Sequence, residues 1–234
     1  LPKLATPKYT MKLPSNGMEV KYRPFLVKEE KVLLMAVESG EEKQITSAVS
    51  SILQECVECE GGLNVSELPV FDVEYLFLNL RGKSVGETVK LIMPCKECNQ
   101  DYTLNVDIES IKMTTHEDHE KKIQLTDEIG VVMKYPYFGM TTTDNIRKSI
   151  AKDPTKIVNE CIDQIYDSKN VYNAKDYSES DLEEFVGSLN QEQFTKIQKF
   201  FETMPSLKHD VSFTCGKCGA ENELVLETLQ DFFG

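Results

Sequence analysis

Two Cys-x-x-Cys pairs, Cys95-Lys-Glu-Cys98 and Cys215-Gly-Lys-Cys218, are the residues of this sequence best suited to chemistry. Each pair follows a strand-like run and precedes a polar turn and a second strand-like run, which places it at the tip of a β-hairpin. Two such tips facing each other present four thiolates in a tetrahedron, the arrangement in which Zn²⁺ is bound structurally. The sequence therefore predicts a split zinc ribbon with one structural Zn²⁺ held by Cys95, Cys98, Cys215 and Cys218.

Two other interpretations of these pairs stay open, namely separate or absent metal sites and thiol–disulfide redox chemistry. A redox pair would open a helix inside a βαβ unit, whereas both pairs here cap hairpins. A Cys₄ zinc site is closed and leaves no coordination position for a substrate. The predicted metal therefore joins two hairpins that are distant in sequence, and its binding contributes folding free energy.

The remaining cysteines are interpreted as structural. Cys56-Val-Glu-Cys59 is a third Cys-x-x-Cys motif, but Cys56 lies on the apolar face of a predicted helix and is expected in the core. A second metal at Cys56 and Cys59 is the alternative, for which the chain offers no obvious further pair. Cys161 also lies on a core-facing side and is expected to be buried and inert.

Two further motifs resemble catalytic signatures only in part. The zincin pattern His-Glu-x-x-His needs histidines four residues apart, whereas His116 and His119 are three apart in a polar connector. A solvated charged linker is the favoured interpretation there. Gly82-Lys83-Ser84 resembles the end of a phosphate-binding loop, but Phe77 occupies the position of the required first glycine.

The apolar C-terminal tail has two interpretations. Leu229, Phe232 and Phe233 could complete a core helix, or they could anchor a partner protein, because adjacent aromatic side chains are frequent hot spots of interfaces.

The elements that must position these residues combine helices with hairpins, so the expected fold class is α+β. Residues 1–86 carry a β-hairpin and helices, with helices predicted over 26–38, 42–56 and about 69–80. Residues 87–135 hold the first half of the ribbon and an extra hairpin. Residues 136–204 are expected to form a helical insertion, and residues 205–234 the second half of the ribbon and the tail.

Composition limits the class of protein. The 234 residues carry a net charge of −13, which disfavours a nucleic-acid surface because phosphate contacts need a basic patch. The sequence contains no run of about 18 apolar residues, so no membrane span is predicted. The first residues lack the apolar core of a secretory signal. A reducing cytosol is therefore expected, where paired cysteines bind metal more often than they form disulfides.

Three stretches resemble the baseplate hub proteins of T4-type contractile-tailed phages, a family that comprises the hub subunit and the related hub assembly catalyst. They are residues 1–7 with 21–39, then Met93-Pro-Cys-Lys-Glu-Cys98, and finally Phe213-Thr-Cys-Gly-Lys-Cys-Gly219 with residues 226–234. The resemblance reaches both ends and the middle of the chain, whereas residues 141–204 carry no part of it.

The resemblance implies a non-enzymatic protein that helps to build the centre of a phage baseplate. Its partners would be other phage tail and baseplate hub proteins. Neither a membrane nor a small-molecule substrate is expected, and the net charge disfavours a nucleic-acid partner. It would act in the host cytoplasm and either stay in the virion tail or leave before completion. The word catalyst in the family name refers to assembly, so no catalytic residues are carried over.

Three function classes follow. A structural or assembly protein is favoured. A zinc-ribbon nucleic-acid or transcription accessory factor would need a basic face around Lys90, Lys96 and Lys217. A metal-dependent hydrolase would need His116 and His119 to hold a second metal.

Overall fold

The computed structural model describes residues 5–142, 153, 155–227 and 231, and it mixes helices with antiparallel sheets. The predicted α+β class is confirmed. The chain divides into two compact units. We call residues 1–114 with 205–234 the ribbon unit and residues 115–204 the inserted unit. The finer division into four segments stays a prediction.

The ribbon unit opens with a small antiparallel sheet. Strands β1 (Tyr9–Lys12), β2 (Glu19–Tyr22) and β3 (Val57–Glu58) lie in the order β1-β2-β3. Their hairpin turns at Gly17, whose φ of +71° favours glycine. The turn is held to the core because the Ser15 amide donates to the buried Asp72 carboxylate over 3.0 Å.

Three helices follow, α1 (Val27–Ser39), α2 (Glu42–Cys56) and α3 (Val70–Val85). Helix α1 ends at Gly40, which adopts the left-handed conformation of a helix C-cap. Helix α3 is the centre of the unit, since Leu76, Phe77, Leu78 and Leu80 are all buried. The sequence predicts all three helices, and α3 continues about one turn beyond the expected end.

The two Cys-x-x-Cys hairpins complete the ribbon unit. Strands β4 (Thr88–Pro94) and β5 (Asp101–Asp107) form one antiparallel hairpin. The second hairpin contains β11 (Ser206–Thr214) and β12 (Glu221–Leu226), and β6 (Lys112–Thr114) pairs with β11 at its start. Both hairpins and α3 share one core, formed by Leu78, Val89, Leu91, Leu104, Val106, Ile108, Ile111, Leu207, Phe213 and Leu226.

The inserted unit is a four-stranded antiparallel sheet with helices. Strands β7 (Lys122–Gln124), β8 (Gly130–Met133), β9 (Ile162–Tyr166) and β10 (Val171–Asn173) lie in the order β10-β9-β8-β7. The helices are α4 (Phe138–Thr142), α5 (Lys156–Cys161), α6 (Glu179–Gly187) and α7 (Gln191–Thr203). Its core is separate and centres on Val131, Met133, Ile162, Ile197 and Phe200.

The expectation that residues 136–204 are helical is wrong for two stretches, which form β9 and β10. Ile162 and Ile165 share a face with Ile157 and Cys161 at helical spacing, but the chain changes to a strand at Ile162. There it pairs with β8, with Val131 opposite Ile165 and Met133 opposite Ile162. A short apolar run is compatible with a helix or with a strand. Here the hydrogen bonds to β8 make residues 162–166 a strand.

Candidate metal centre

The two Cys-x-x-Cys turns have the same backbone geometry. The Cys95 amide donates to Gln100 O over 2.9 Å and the Asn99 amide to Cys95 O over 2.9 Å. In the second turn the Cys215 amide donates to Ala220 O and the Gly219 amide to Cys215 O, both over 2.8 Å. The fourth residue after each first cysteine has positive φ, +54° at Asn99 and +74° at Gly219, a conformation that asparagine and glycine tolerate best.

The hairpins bring the four predicted ligands together. The Sγ atoms of Cys95, Cys98, Cys215 and Cys218 all lie within 4.8 Å of one another. Cys95 Sγ is 3.7 Å from Cys218 Sγ, and Cys98 Sγ is 3.7 Å from Cys215 Sγ. A tetrahedral site with Zn–S bonds of about 2.3 Å separates its sulfurs by about 3.8 Å. These distances exclude disulfides, and the arrangement is compatible with a bound metal ion.

The electrostatics of the cluster favour a cation. Backbone amides of Cys98 and Glu97 lower the pKa of Cys95 to about 6, although burial acts against them. The amides of Cys218 and Lys217 likewise lower the pKa of Cys215. The Ala220 amide lowers the pKa of Cys218, but neighbouring thiol groups and burial outweigh it and raise that pKa to about 12. Four adjacent thiolates repel one another, and a divalent cation removes that conflict.

Asn222 also belongs to the candidate centre, although the sequence analysis does not identify it. The buried Asn222 on β12 donates from Nδ2 to Cys95 Sγ over 3.6 Å and accepts the Lys96 amide on Oδ1 over 2.9 Å. It therefore joins the second hairpin to the first turn. A signal was available, because Asn222 occupies the inward register of β12 together with Leu224 and Leu226 and is the polar member of that row.

A second contact holds the hairpins together without sulfur. The rings of Tyr102 on β5 and Phe213 on β11 stack with centroids 4.6 Å apart and planes 7° apart. Phe213 also belongs to the core of the ribbon unit. The cluster is thus carried on two hairpins that already pack against each other.

The other cysteines lie apart from this cluster. Cys56 is buried, and burial raises the pKa of its thiol to about 11. Cys161 is fully buried, and burial raises its pKa to about 12. Both are core thiols, as expected. In the part of the chain that the structure describes, the Cys95–Cys218 cluster is the one group of such residues close enough to hold a metal.

His119 is placed differently from the solvated linker that the sequence predicts. Its ring is partly buried and stacks on Tyr135, with centroids 5.6 Å apart. Nδ1 lies 2.9 Å from Thr203 Oγ1 and Nε2 lies 3.1 Å from the Tyr135 hydroxyl. The Thr203 hydroxyl donates its proton to Lys199 O, so it accepts a hydrogen bond from Nδ1–H of His119. Nε2 of His119 then carries no proton and accepts a hydrogen bond from the Tyr135 hydroxyl. His116 remains exposed.

The structure places one of the two remaining candidate sites, the possible phosphate loop, but not the apolar C-terminal tail. Gly82-Lys83-Ser84 lies inside α3, with Gly82 buried against Ile108, so these residues form no phosphate loop. Leu229, Phe232 and Phe233 lie outside the described residues. No helix within the described ranges is long and apolar enough to cross a membrane.

Comparison with known proteins supplies the context for this centre. A family model described as "T4 bacteriophage base plate protein" matches residues 6–234. No curated protein and no solved structure matches the chain. The matched range includes both cysteine hairpins and the inserted unit. The chain belongs to the T4 bacteriophage base plate protein family.

Proposed function

We propose that this protein is a non-enzymatic structural or assembly component of the central hub of a phage tail baseplate. The observation that carries the proposal is the family match over residues 6–234, together with the three stretches that resemble hub proteins. Its partners are other tail and hub proteins. It acts in the host cytoplasm during assembly, and the virion tail baseplate is its second location.

The proposed role of the cysteine cluster is structural. A Zn²⁺ ion bound by Cys95, Cys98, Cys215 and Cys218 joins the hairpin that precedes the inserted unit in sequence to the hairpin that follows it. A Cys₄ site offers no open position for a substrate, which supports a non-enzymatic role. Sulfur ligands favour Zn²⁺ over Mg²⁺ or Ca²⁺, which take oxygen ligands.

The metal proposal is tested by zinc analysis and thermal unfolding of serine variants. Cys98→Ser and Cys218→Ser are expected to lower the zinc content and the melting temperature together. Cys59→Ser is the matched control, because Cys59 lies outside the cluster and is partly exposed. Full zinc content in both ligand variants would contradict the proposal.

The hub proposal is tested by quantitative mass spectrometry of mature tails and of their assembly intermediates. A fixed small copy number in mature tails identifies a hub subunit, and presence in intermediates alone identifies an assembly factor. Absence from both would reject the proposal.

We further propose Leu229, Phe232 and Phe233 as a partner contact. Alanine at all three positions is then expected to lower incorporation into tails while the zinc content stays unchanged.

The nucleic-acid alternative has little support from the hairpins. Lys96 Nζ donates to Glu223 O over 2.7 Å within the ribbon, so its charge is partly committed. Acidic residues outnumber lysines in both 88–107 and 206–227. A basic face for phosphate contacts is therefore not supported at this end of the ribbon unit.

A further inference from the structure

Helix α1 exposes a large apolar surface. Val27, Leu34 and Met35 are 68%, 60% and 70% exposed, and Val32 is 49% exposed. The opposite side of α1 buries Leu33 and Ala36. The helix is therefore apolar on two faces, of which the described part of the chain covers one. Exposed apolar side chains clustered on one side of a helix mark interaction surfaces, especially where polar residues border them.

Three charged residues lie on the exposed face. Lys28 pairs with Glu29 over 3.2 Å, and the other two divide the apolar side chains. With 100° between successive residues, Lys31 and Glu38 lie between Val27 and Leu34 on one side and Val32 and Met35 on the other. Both are exposed, and neither forms an ion pair with the residues that the structure describes. They are seven residues apart, about 10.5 Å along the axis, which is too far for a mutual ion pair.

Glu38 also lies in the last turn of α1, where the helix dipole disfavours a carboxylate. No basic residue occupies that turn. A cation supplied from outside the helix would remove this unfavourable interaction.

The charge pattern is self-complementary. Leu34 and Met35 lie midway between Lys31 and Glu38. If a second α1 runs antiparallel with the two-fold axis at Leu34 and Met35, Lys31 of each copy faces Glu38 of the other. The four apolar side chains meet at the centre, as in an isologous interface. We propose that α1 is the dimerisation surface of this protein and that its occupant is the α1 helix of a second copy.

The charges favour a second copy over an unrelated helix. One cation and one anion placed symmetrically about an apolar centre satisfy each other only in this antiparallel register. A heterologous helix satisfies both charges only if it carries an anion and a cation at the same spacing.

Sedimentation equilibrium of the full, metal-loaded chain tests the proposal. The wild type is expected to dimerise, and K31E and E38K are each expected to raise the dimer Kd about tenfold, because two attractive contacts become repulsive. An equimolar mixture of K31E and E38K is expected to recover the wild-type Kd, since unlike charges face each other again in the heterodimer.

A matched pair of apolar variants separates this surface from general stickiness. L34S is expected to weaken the dimer, whereas V171S, at a residue 60% exposed on β10, is expected to leave it unchanged. Three results would overturn the proposal: a monomeric wild type at about 0.1 mM, a dimer insensitive to L34S, or no recovery in the charge-variant mixture. Each of these leaves the metal and hub proposals unaffected.

Discussion

At the scale of single residues, Asn222 connects the candidate metal centre to the second cysteine hairpin. Its amide hydrogen bonds to Cys95 Sγ and to the Lys96 backbone, and so it orients a proposed ligand without binding the metal. The hydrogen bond from Nδ2 also contributes to the lowered pKa of Cys95. Groups of this kind commonly change metal affinity by about 10–100-fold when mutated.

Asn222→Asp is therefore expected to lower zinc affinity about 10–100-fold. The aspartate keeps an acceptor for the Lys96 amide, but it places a carboxylate oxygen next to the Cys95 sulfur. Competition with a chromophoric chelator measures the change. Asn105→Asp is the control, because it adds the same charge at an exposed position of β5. Equal affinities in the two variants would show that the charge, not the position, matters.

His119 is expected to make the free energy of unfolding of the inserted unit depend on pH. Burial lowers its pKa, and the charges of Lys121 and His116 act in the same direction. Between this lowered value and the unfolded value of about 6.5, the unfolded chain binds more protons, so the free energy of unfolding falls as pH falls. His119→Gln is expected to reduce that slope in urea titrations between about pH 5 and 7.

His116→Gln is the control for this measurement, because His116 is exposed and forms neither of the two hydrogen bonds of His119. Its slope is expected to stay closer to that of the wild type than the slope of His119→Gln does, because burial, and not the charge of His116, is the main cause of the lowered pKa of His119. A wild-type slope in the His119 variant would show that other groups cause the acid destabilisation.

At the scale of elements, strand β8 depends on a glycine. A Cβ on Gly130 would collide with the Tyr166 side chain and lie 2.7 Å from Ile123 O. The backbone oxygen cannot retreat, because Ile123 belongs to β7, which pairs with β8. Gly130→Ala is therefore expected to cost about 1–3 kcal/mol of unfolding free energy in urea titrations.

Gly187→Ala is the matched control for this strand. Gly187 ends α6, and no heavy atom lies within 4 Å of the position that an alanine methyl group would take there. This change is expected to be neutral or stabilising by up to about 1 kcal/mol, since alanine is the better helix former. If both variants lost the same stability, the close approach in β8 would not be the cause.

Local sequence signals predicted some elements well and others poorly. Helix α2 has the predicted bounds, Glu42–Cys56, because five apolar residues repeat on one face over fifteen residues. Local signals do not predict strand β9, since five residues carry too little periodicity and the paired residues of β8 lie 29–36 positions earlier. His119 was misplaced for a related reason, because Thr203 is 84 residues away.

The cysteine cluster was easier to predict than its surroundings. Cysteine spacing within each turn is a local signal, and two matching turns suggest one shared site. Asn222 acts across 127 residues of sequence, and the stacking of Tyr102 on Phe213 depends on how the hairpins face each other. These contacts follow from the tertiary arrangement, which local patterns do not encode.

At the scale of the whole molecule, the two units have separate sheets and separate cores in the described ranges. All four proposed ligands belong to the ribbon unit. Strand β6 pairs with β11, with Ser206 opposite Thr114, at the point where the chain passes from the ribbon unit into the inserted unit and back again. Metal binding should therefore stabilise one unit far more than the other.

Hydrogen exchange with and without a zinc chelator measures this difference. Removal of the metal is expected to speed exchange in the hairpins β4–β5 and β11–β12, because the link between their tips is lost. Protection in β8, β9 and α7 is expected to persist, because their core contains none of the cluster cysteines. The Cys98→Ser variant without chelator should give the same pattern. Equal loss of protection in both units would instead mean that the chain unfolds as one cooperative whole.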